Sequence, residues 1–405
     1  MPTLFQINIT ANWGSHGRIA EEIGNLVMQE GWSSYIAYGR WANPSKSELI
    51  RIGSMNDERL HAVLSRILDN QGLASASATR TLINKIASVK PSIVHLHNIH
   101  GYYLNYPILF NFLRSLNCPV VWTLHDCWPI TGHCSHFMYS GCEKWKTRCF
   151  DCEEKNEYPK SIVFDRSSRN YTKKKEIFTS LDNLTLVPVS NWLNEILKES
   201  FLSSVPSKCI QNGIDTNLFH VIAGAKEKIG LDKKKVILAV ASNWTLKKGL
   251  SDIVAIRDSL SSNYAIVIVG LNEAQVRALP SGIHGITRTD CIEELVQYYS
   301  AADVFINPTY EDTFPTTNIE ALACGTPVIT YNTGGSPESL NSQTGIVIPR
   351  GDRRALTQAI EQICNTWDRE AVRTTCRNRA IECFQKEDRF QEYLQLYQSL
   401  LGQSF

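Results

Sequence analysis

Short apolar runs rich in β-branched residues alternate along this chain with stretches whose apolar positions recur every three or four residues. In the first half, Leu4–Ile9, Ser34–Tyr38, Ile93–Leu96, Val120–Leu124 and Leu184–Val189 read as strands. Between them, Arg18–Glu30, Ala78–Val89 and Leu104–Leu116 read as helices. In the second half the strands are Val236–Ala241, Ala265–Val269, Val304–Asn307, Val328–Tyr331 and Gly345–Ile348. Runs such as VILAV and AIVIVG are apolar throughout, as strands of a parallel sheet covered on both faces must be. Regular strand–helix alternation implies βαβ crossovers and an α/β fold.

The pattern starts twice. Residues 1–217 form one predicted Rossmann-like domain and residues 218–385 a second. The polar connector Asp215–Lys234 leads into the lysine run Lys233–Lys235, which reads as a solvated turn. In residues 386–405, Phe390, Tyr393, Leu394, Tyr397 and Leu401 fall on one helical face. That spacing predicts a terminal helix that buries this face, packing back toward the first domain. Residues 125–160 break the alternation as a cysteine-rich insertion after a strand end. Loops after the carboxyl ends of parallel strands are where ligands bind in such folds.

A chain of 405 residues is too long for one ordinary core, in line with two domains. Its formal net charge of +1 supplies no basic field for nucleic acid, so no nucleic-acid partner is expected. The opening MPTLFQINIT reads as a buried strand rather than a secretory signal, and no run of 18 apolar residues offers a membrane span. The expected location is therefore cytoplasmic, with at most peripheral contact at the inner membrane face. Tyr102, Tyr103, Trp145 and Lys146 are candidates for that contact, or else core and ordinary surface. Twelve cysteines in such a chain are expected to be reduced. Cys149 and Cys152 form a C-x2-C unit, and Cys134 and Cys142 could complete a structural zinc site. The alternative is a set of reduced, partly buried thiols.

Five runs carry candidate chemistry. Asn12–Arg18 holds Gly14, Gly17 and Arg18 between the first strand and first helix, where backbone N–H groups can meet an anion; a plain tight turn needs the same glycines. His125-Asp126 follows the VVWTL strand, with His125 able to touch a sugar hydroxyl or accept a proton. Otherwise Asp126 caps a turn with His125 packed beneath it. Lys247, Lys248 and Gly249 follow the first strand of the second domain. Two lysines at a helix start oppose its dipole unless an anion lies between; solvated surface lysines are the alternative. Asp312 and Glu320 stand eight apart, with Phe314, Pro315, Thr316 and Thr317 between them. Carboxylates can accept from sugar and ribose hydroxyls, and helix N–H groups can meet phosphate. Against this, Thr317-x-x-Glu320 is also a capping box. The fifth run is the turn Asn332–Glu338.

Together the last three runs resemble glycosyltransferase family 4, the retaining GT-B enzymes. Lys248-Gly249 matches the family's lysine–glycine pair. Asp312-x7-Glu320 followed by ALACGTPVI matches its acidic-x7-Glu motif, and Gly334-Gly335-Ser336-Pro337-Glu338 its glycine turn. The first half matches through Gly14–Gly17, His125-Asp126, PVSNWLNEIL and IQNGIDTNLF, and HDCWPITGHC resembles a bacterial subset that builds surface polysaccharides. The resemblance implies two Rossmann-like domains facing across a cleft, and transfer of a sugar from a UDP- or GDP-sugar to a saccharide or lipid-linked saccharide. It places Lys248 on the donor diphosphate, Glu320 on the ribose and Asp312 on the donor sugar, helped by main chain near Phe314–Thr317. Gly14 and Gly17 would reach the diphosphate, and His125 would lie near the reacting carbon. The sequence lacks a D-x-D motif, so no metal is expected to be required for catalysis. Two departures stand out: Asp312 replaces the usual Glu, and Asn243 replaces the usual arginine. The second leaves open a catalytically silent nucleotide-sugar-binding scaffold, unless Arg18 or Lys247 compensates.

Overall fold

In the computed structural model, which describes residues 1–402, twelve strands form two separate six-stranded sheets whose pairings are all parallel. The first holds β1 (Thr3–Asn8), β2 (Ser33–Tyr38), β3 (Glu48–Arg51), β4 (Ile93–Leu96), β5 (Val120–Leu124) and β6 (Leu184–Pro188). The second holds β7 (Lys235–Val240), β8 (Tyr264–Val269), β9 (Ile283–Ile286), β10 (Val304–Asn307), β11 (Val328–Tyr331) and β12 (Gly345–Ile348). Their orders are β3-β2-β1-β4-β5-β6 and β12-β11-β10-β7-β8-β9. Renumbered within its own unit, the second sheet also runs 3-2-1-4-5-6, the doubly wound order whose direction reverses beside the first strand.

The chain divides into two compact units. One is Met1–Gln211 together with the segment that begins at Arg389; the other is Asn212–Asp388. In the first, Leu4 and Phe5 point to opposite sheet faces, as neighbours on a strand do. Phe5 joins Ile7, Val94, Leu96, Val120 and Trp122 in one apolar cluster. Leu4 joins Ile93, Val121 and Val187, covered by Ile19, Ile23 and Val27 of the helix Gly14–Gln29. Phe390, Tyr393, Leu394 and Tyr397 of the helix Lys386–Leu400 complete that cover.

Two strands escape the sequence pattern, and both are edges. Glu48–Arg51 and Ile283–Ile286 each span four residues and are only partly buried. An edge strand has one neighbour and tolerates charge and glycine, so it lacks the apolar run that marks a central strand. The helix expected over Leu104–Leu116 is shorter, Tyr106–Leu113, because Asn105 caps its start by accepting from the Ile108 N–H at 3.1 Å. The insertion after β5 carries a core, since Trp128, Ile130, Phe137, Met138 and Trp145 are buried in the same cluster as Trp122.

Tyr397 is fully buried, with its hydroxyl 2.6 Å from His95 Nδ1. Tyr397→Phe leaves that nitrogen buried without its partner and should cost about 1–3 kcal/mol. Tyr397→Ala also opens a cavity and should cost about 3–5 kcal/mol. Urea midpoints followed by circular dichroism should fall in the order wild type, Phe, Ala.

Candidate functional site

In the second unit the winding reversal separates the loops that leave β7 and β10. The β7 loop ends in a 3-10 turn, Leu246–Lys248, so Lys247 and Lys248 precede the helix Leu250–Ala255 instead of opening it. Gly249 joins the two at φ +77°, and a Cβ there would lie 2.1 Å from the Pro308 carbonyl oxygen. Only glycine satisfies both demands. Each lysine meets an acid of the β10 loop: Lys248 Nζ lies 2.7 Å from Asp312 Oδ2, and Lys247 Nζ lies 3.2 Å from Glu311 Oε1. The Tyr310 N–H donates to the Lys247 carbonyl at 2.8 Å. The lysines are thus not merely solvated: each has a carboxylate partner at the start of this helix.

Behind this seam sits Asp252, buried in the helix after Gly249. Its Oδ2 accepts from the hydroxyls of Tyr310 (2.7 Å) and Tyr331 (2.8 Å), and its Oδ1 from Arg353 Nε at 2.8 Å. One carboxylate therefore ties together both loops, β11 and the helix Arg353–Thr366.

The helix Thr316–Ala323 starts after Pro315, and no side chain caps its N-terminus. The capping box does not form, because Glu320 lies beyond the first turn and accepts from the Tyr299 hydroxyl at 2.8 Å. Phe314 contributes main chain only: its ring is buried 5.8 Å from that of Phe384, and its carbonyl accepts from Asn212 Nδ2 at 3.3 Å. Pro315 is buried, while Thr316 and Thr317 are half-buried. Asn318 Nδ2 donates to Ser339 Oγ at 3.0 Å, and its Oδ1 accepts from Asn307 Nδ2 at 2.8 Å, which fixes the helix to the end of β10. The glycine turn joins in through the Gly335 N–H, which donates to the Asp312 carbonyl at 3.3 Å. Lys248, Asp312 and the turn therefore come together, and Asn243 is exposed.

In the first unit, the loop after β1 leads into the helix Gly14–Gln29, whose start lacks a side-chain cap. The helix therefore begins four residues before the expected Arg18. Gly14 has φ +68°, and at Gly17 a Cβ would lie 2.6 Å from Thr10 Oγ1. Arg18 is exposed, just beyond the first turn. His125, half-buried just after β5, is one of a cluster of histidines that the sequence reading did not bring together. Its Nε2 lies 3.2 Å from His97 Nδ1, and its ring centroid 5.8 Å from that of His16. Burial pushes His97 and His125 well below the usual imidazole range, His16 to about 4 and His95 to about 3. These rings are neutral at pH 7. The alternating H-L-H-N-I-H at 95–100, at the end of β4, was the available signal. Asp126 caps a turn through the Trp128 N–H at 2.9 Å and accepts from His100 Nε2 at 2.8 Å. Burial alone would raise its pKa; the His100 ring reverses the sign and holds the carboxyl well below the usual range.

Among the described residues, no three His, Cys, Asp or Glu side chains are grouped to hold a metal ion. The four cysteines expected as zinc ligands make these contacts within the protein. Cys149 Sγ accepts from the Gly132 N–H at 3.2 Å, and Cys134 hydrogen-bonds Cys152. Cys142 is partly buried. Lys174 pins the insertion instead, donating to the carbonyls of Trp128 (2.6 Å) and Thr131 (3.0 Å) from 3.5 Å above the Trp128 ring. Burial lowers its pKa to about 7. Of the membrane candidates, Tyr102, Tyr103 and Trp145 are buried, and Lys146 pairs with Glu143 and Glu199. Exposed apolar side chains lie elsewhere, at Leu60, Val63 and Ile67 of the helix Met55–Leu68 and at Ile162, Val163 and Phe164. The Ile162 and Phe164 N–H groups donate to the Arg66 and Ile67 carbonyls, which sets the two segments side by side.

Residues 17–218 match the family model described as Glycosyltransferase Family 4, and residues 234–366 match that described as Glycosyl transferases group 1. A chain named as the colanic acid biosynthesis glycosyl transferase WcaC, from Escherichia coli (strain K12), is 23% identical over 98% of this chain and 100% of its own length. The teichuronic acid biosynthesis glycosyltransferase TuaC of Bacillus subtilis (strain 168), so named, is 28% identical over 43% of this chain and 45% of its own. Among solved structures, sucrose-phosphate synthase from Thermosynechococcus elongatus is similar with TM-score 0.75 and 19% identity over all of both chains. Anabaena Alr3699/HepE in complex with UDP is similar with TM-score 0.69 and 12% identity, over 98% of this chain and 100% of its own. At these identities the structures speak to the fold alone.

Two outcomes follow from the local geometry. Gly249→Ala must relieve both a positive φ and a clash with backbone, so it should lose at least about 1–3 kcal/mol in thermal or urea unfolding. Within the cysteine cluster, the hydrogen bond from Cys134 lowers Cys152 to about 7 against the opposing effect of burial, while burial raises Cys149 to about 11. Thiolate is the reactive form. Iodoacetamide should therefore label Cys152 ahead of Cys134 and Cys149, with a rate that rises through pH 7, as peptide mass spectrometry would show.

Proposed function

The chain belongs to glycosyltransferase family 4, among its surface-polysaccharide biosynthesis members, and from that premise we propose that it moves a sugar from a UDP- or GDP-sugar to an acceptor hydroxyl with retention. The observation that carries this reading is the Lys248–Asp312 pair at the winding reversal of the second sheet, on a loop that leads into the uncapped helix Thr316–Ala323. A cation and helix N–H groups suit a diphosphate. A carboxylate suits sugar or ribose hydroxyls, which is the role read for Asp312 and Glu320.

In the proposed reaction the bond between the sugar's anomeric carbon and the β-phosphate oxygen breaks, and its electron pair stays on the phosphate. The acceptor oxygen bonds the same face of that carbon, and its proton goes to the leaving phosphate. Lys248 offsets the charge that grows on the phosphate. Gly14, Gly17 and Arg18 are read as diphosphate contacts and His125 as a contact near the reacting carbon. The reading calls on no divalent metal. HepE has been solved with UDP-glucose, and a relative from Campylobacter jejuni, 24% identical over 48% of this chain, is named for transfer onto a diphospho-undecaprenol acceptor. They support a nucleotide-sugar donor and a lipid-linked saccharide acceptor.

For contact with a membrane, the apolar ridge of Leu60, Val63, Ile67, Ile162, Val163 and Phe164 takes the place of the buried aromatics. Exposed Arg59, Arg66 and Lys160 lie in the same two segments, as do Glu157 and Asp165. The protein is expected to float with phosphatidylglycerol-containing vesicles and the double variant Leu60→Glu/Val163→Glu to stay behind. Flotation of both would remove this surface from the reading.

The direct test is a panel of UDP- and GDP-sugars with a saccharide-lipid acceptor, with and without chelator, scoring nucleotide diphosphate release. One donor should turn over, chelator should leave the rate unchanged, and Lys248→Ala should lose about 10²–10³ in kcat. Glu320→Ala should raise the donor KM. Donor binding without release would instead favour a silent scaffold; neither binding nor release by folded protein would sink the donor-site assignment.

A further inference from the structure

The histidine cluster of the first unit holds a directional chain of hydrogen bonds that begins at Gln6. Gln6 Nε2 donates to the Ala20 carbonyl at 2.8 Å. A carbonyl can only accept, so the other amide atom, Oε1, is the acceptor that faces His97 Nε2 at 3.0 Å. His97 Nε2 must therefore carry the proton. A neutral imidazole has one N–H and one bare nitrogen, so His97 Nδ1 is bare. That bare nitrogen lies 3.2 Å from His125 Nε2, which must then donate. Each step follows from donor and acceptor chemistry once the rings are neutral, and their burial keeps them so.

We infer that Gln6 and His97 are positioning residues that hold His125 with Nε2 protonated and Nδ1 bare, so that its Nδ1 meets a substrate hydroxyl as an acceptor. The inference rests on the reading of His125 as a sugar contact. His97 is well placed for this task. Its N–H donates to the Ile7 carbonyl at 2.9 Å, and its carbonyl accepts from Trp122 Nε1 at 2.9 Å. The His95 ring lies 4.1 Å from it, centroid to centroid. Gln6 is fully buried in the central strand β1, where a polar side chain has no packing advantage over the apolar neighbours on either side.

Long-range proton–nitrogen NMR on histidine-labelled full-length protein reads the tautomer directly, with His125→Gln used for assignment. Wild type should give the Nε2–H pattern for His125. His97→Leu removes the acceptor and should shift His125 toward Nδ1–H, with about a tenfold fall in kcat. His97→Gln can accept from His125 and donate to Gln6, so it should restore both the tautomer and most of the rate. An Nδ1–H pattern in wild type would overturn the inference, and so would an unchanged His125 pattern in His97→Leu. The wild-type spectrum decides the first point even if that variant does not fold. If the tautomers behave as stated while His125→Ala keeps full turnover, the relay stands and the role of His125 in transfer fails.

Discussion

Each sheet reverses its winding once, beside its first strand, and the central candidate groups are placed by the loops at that reversal. Consecutive crossovers leave the paired strands β1 and β4, and likewise β7 and β10, toward opposite faces. The loops at their carboxyl ends must part, and a crevice opens there at no cost to the sheet. Gly14 and His97 follow β1 and β4; Lys248 and Asp312 follow β7 and β10. The same topology built twice thus prepares two places for ligands before any side chain is chosen.

The side chains then make the two places opposite in character. In the second unit the loops are joined by lysine–carboxylate pairs, of which Lys248–Asp312 is partly open to solvent and Lys247–Glu311 is mostly buried. The open pair can exchange one partner for another anion, since part of its solvation is retained. In the first unit, beside exposed Arg18 and the ionised Asp126, the buried cluster is built of imidazoles, amide and hydroxyl, and burial makes charging His95, His97 or His125 unfavourable.

The central strands and long helices were legible because burial on two faces leaves no room for polar residues, and Val236–Val240 or Ile266–Val269 can be little else. The edges Glu48–Arg51 and Ile283–Ile286 were not, since half their surroundings are solvent. Spacing singled out Lys248 and Asp312, which the fold brings together, but left Glu320 between a ligand role and a capping box; the box is removed only by the helix start and by Tyr299, a partner 21 positions away. Asp252 gave no signal, because its three partners come from three other elements. The cysteine contacts were not legible for a local reason: C-x2-C spacing describes the chain between two sulfurs, not what each sulfur touches. Cys149 was taken by a backbone N–H and Cys152 by another thiol. Lys174, a lysine spent on two carbonyls in a buried site, inverts the usual expectation for its type.

The pair Lys248-Gly249 reads as one motif, but its halves answer to different demands. Gly249 is required by the backbone of its own fold, through its dihedral angle and the Pro308 carbonyl beside it. Lys248 is required by nothing in the core, since among the described residues its head pairs with a partly exposed carboxylate. A descendant that abandoned transfer but kept its shape would be free to change the lysine and obliged to keep the glycine. Within a set of such sequences, the glycine therefore tracks inheritance of the architecture, and the lysine is free of that constraint.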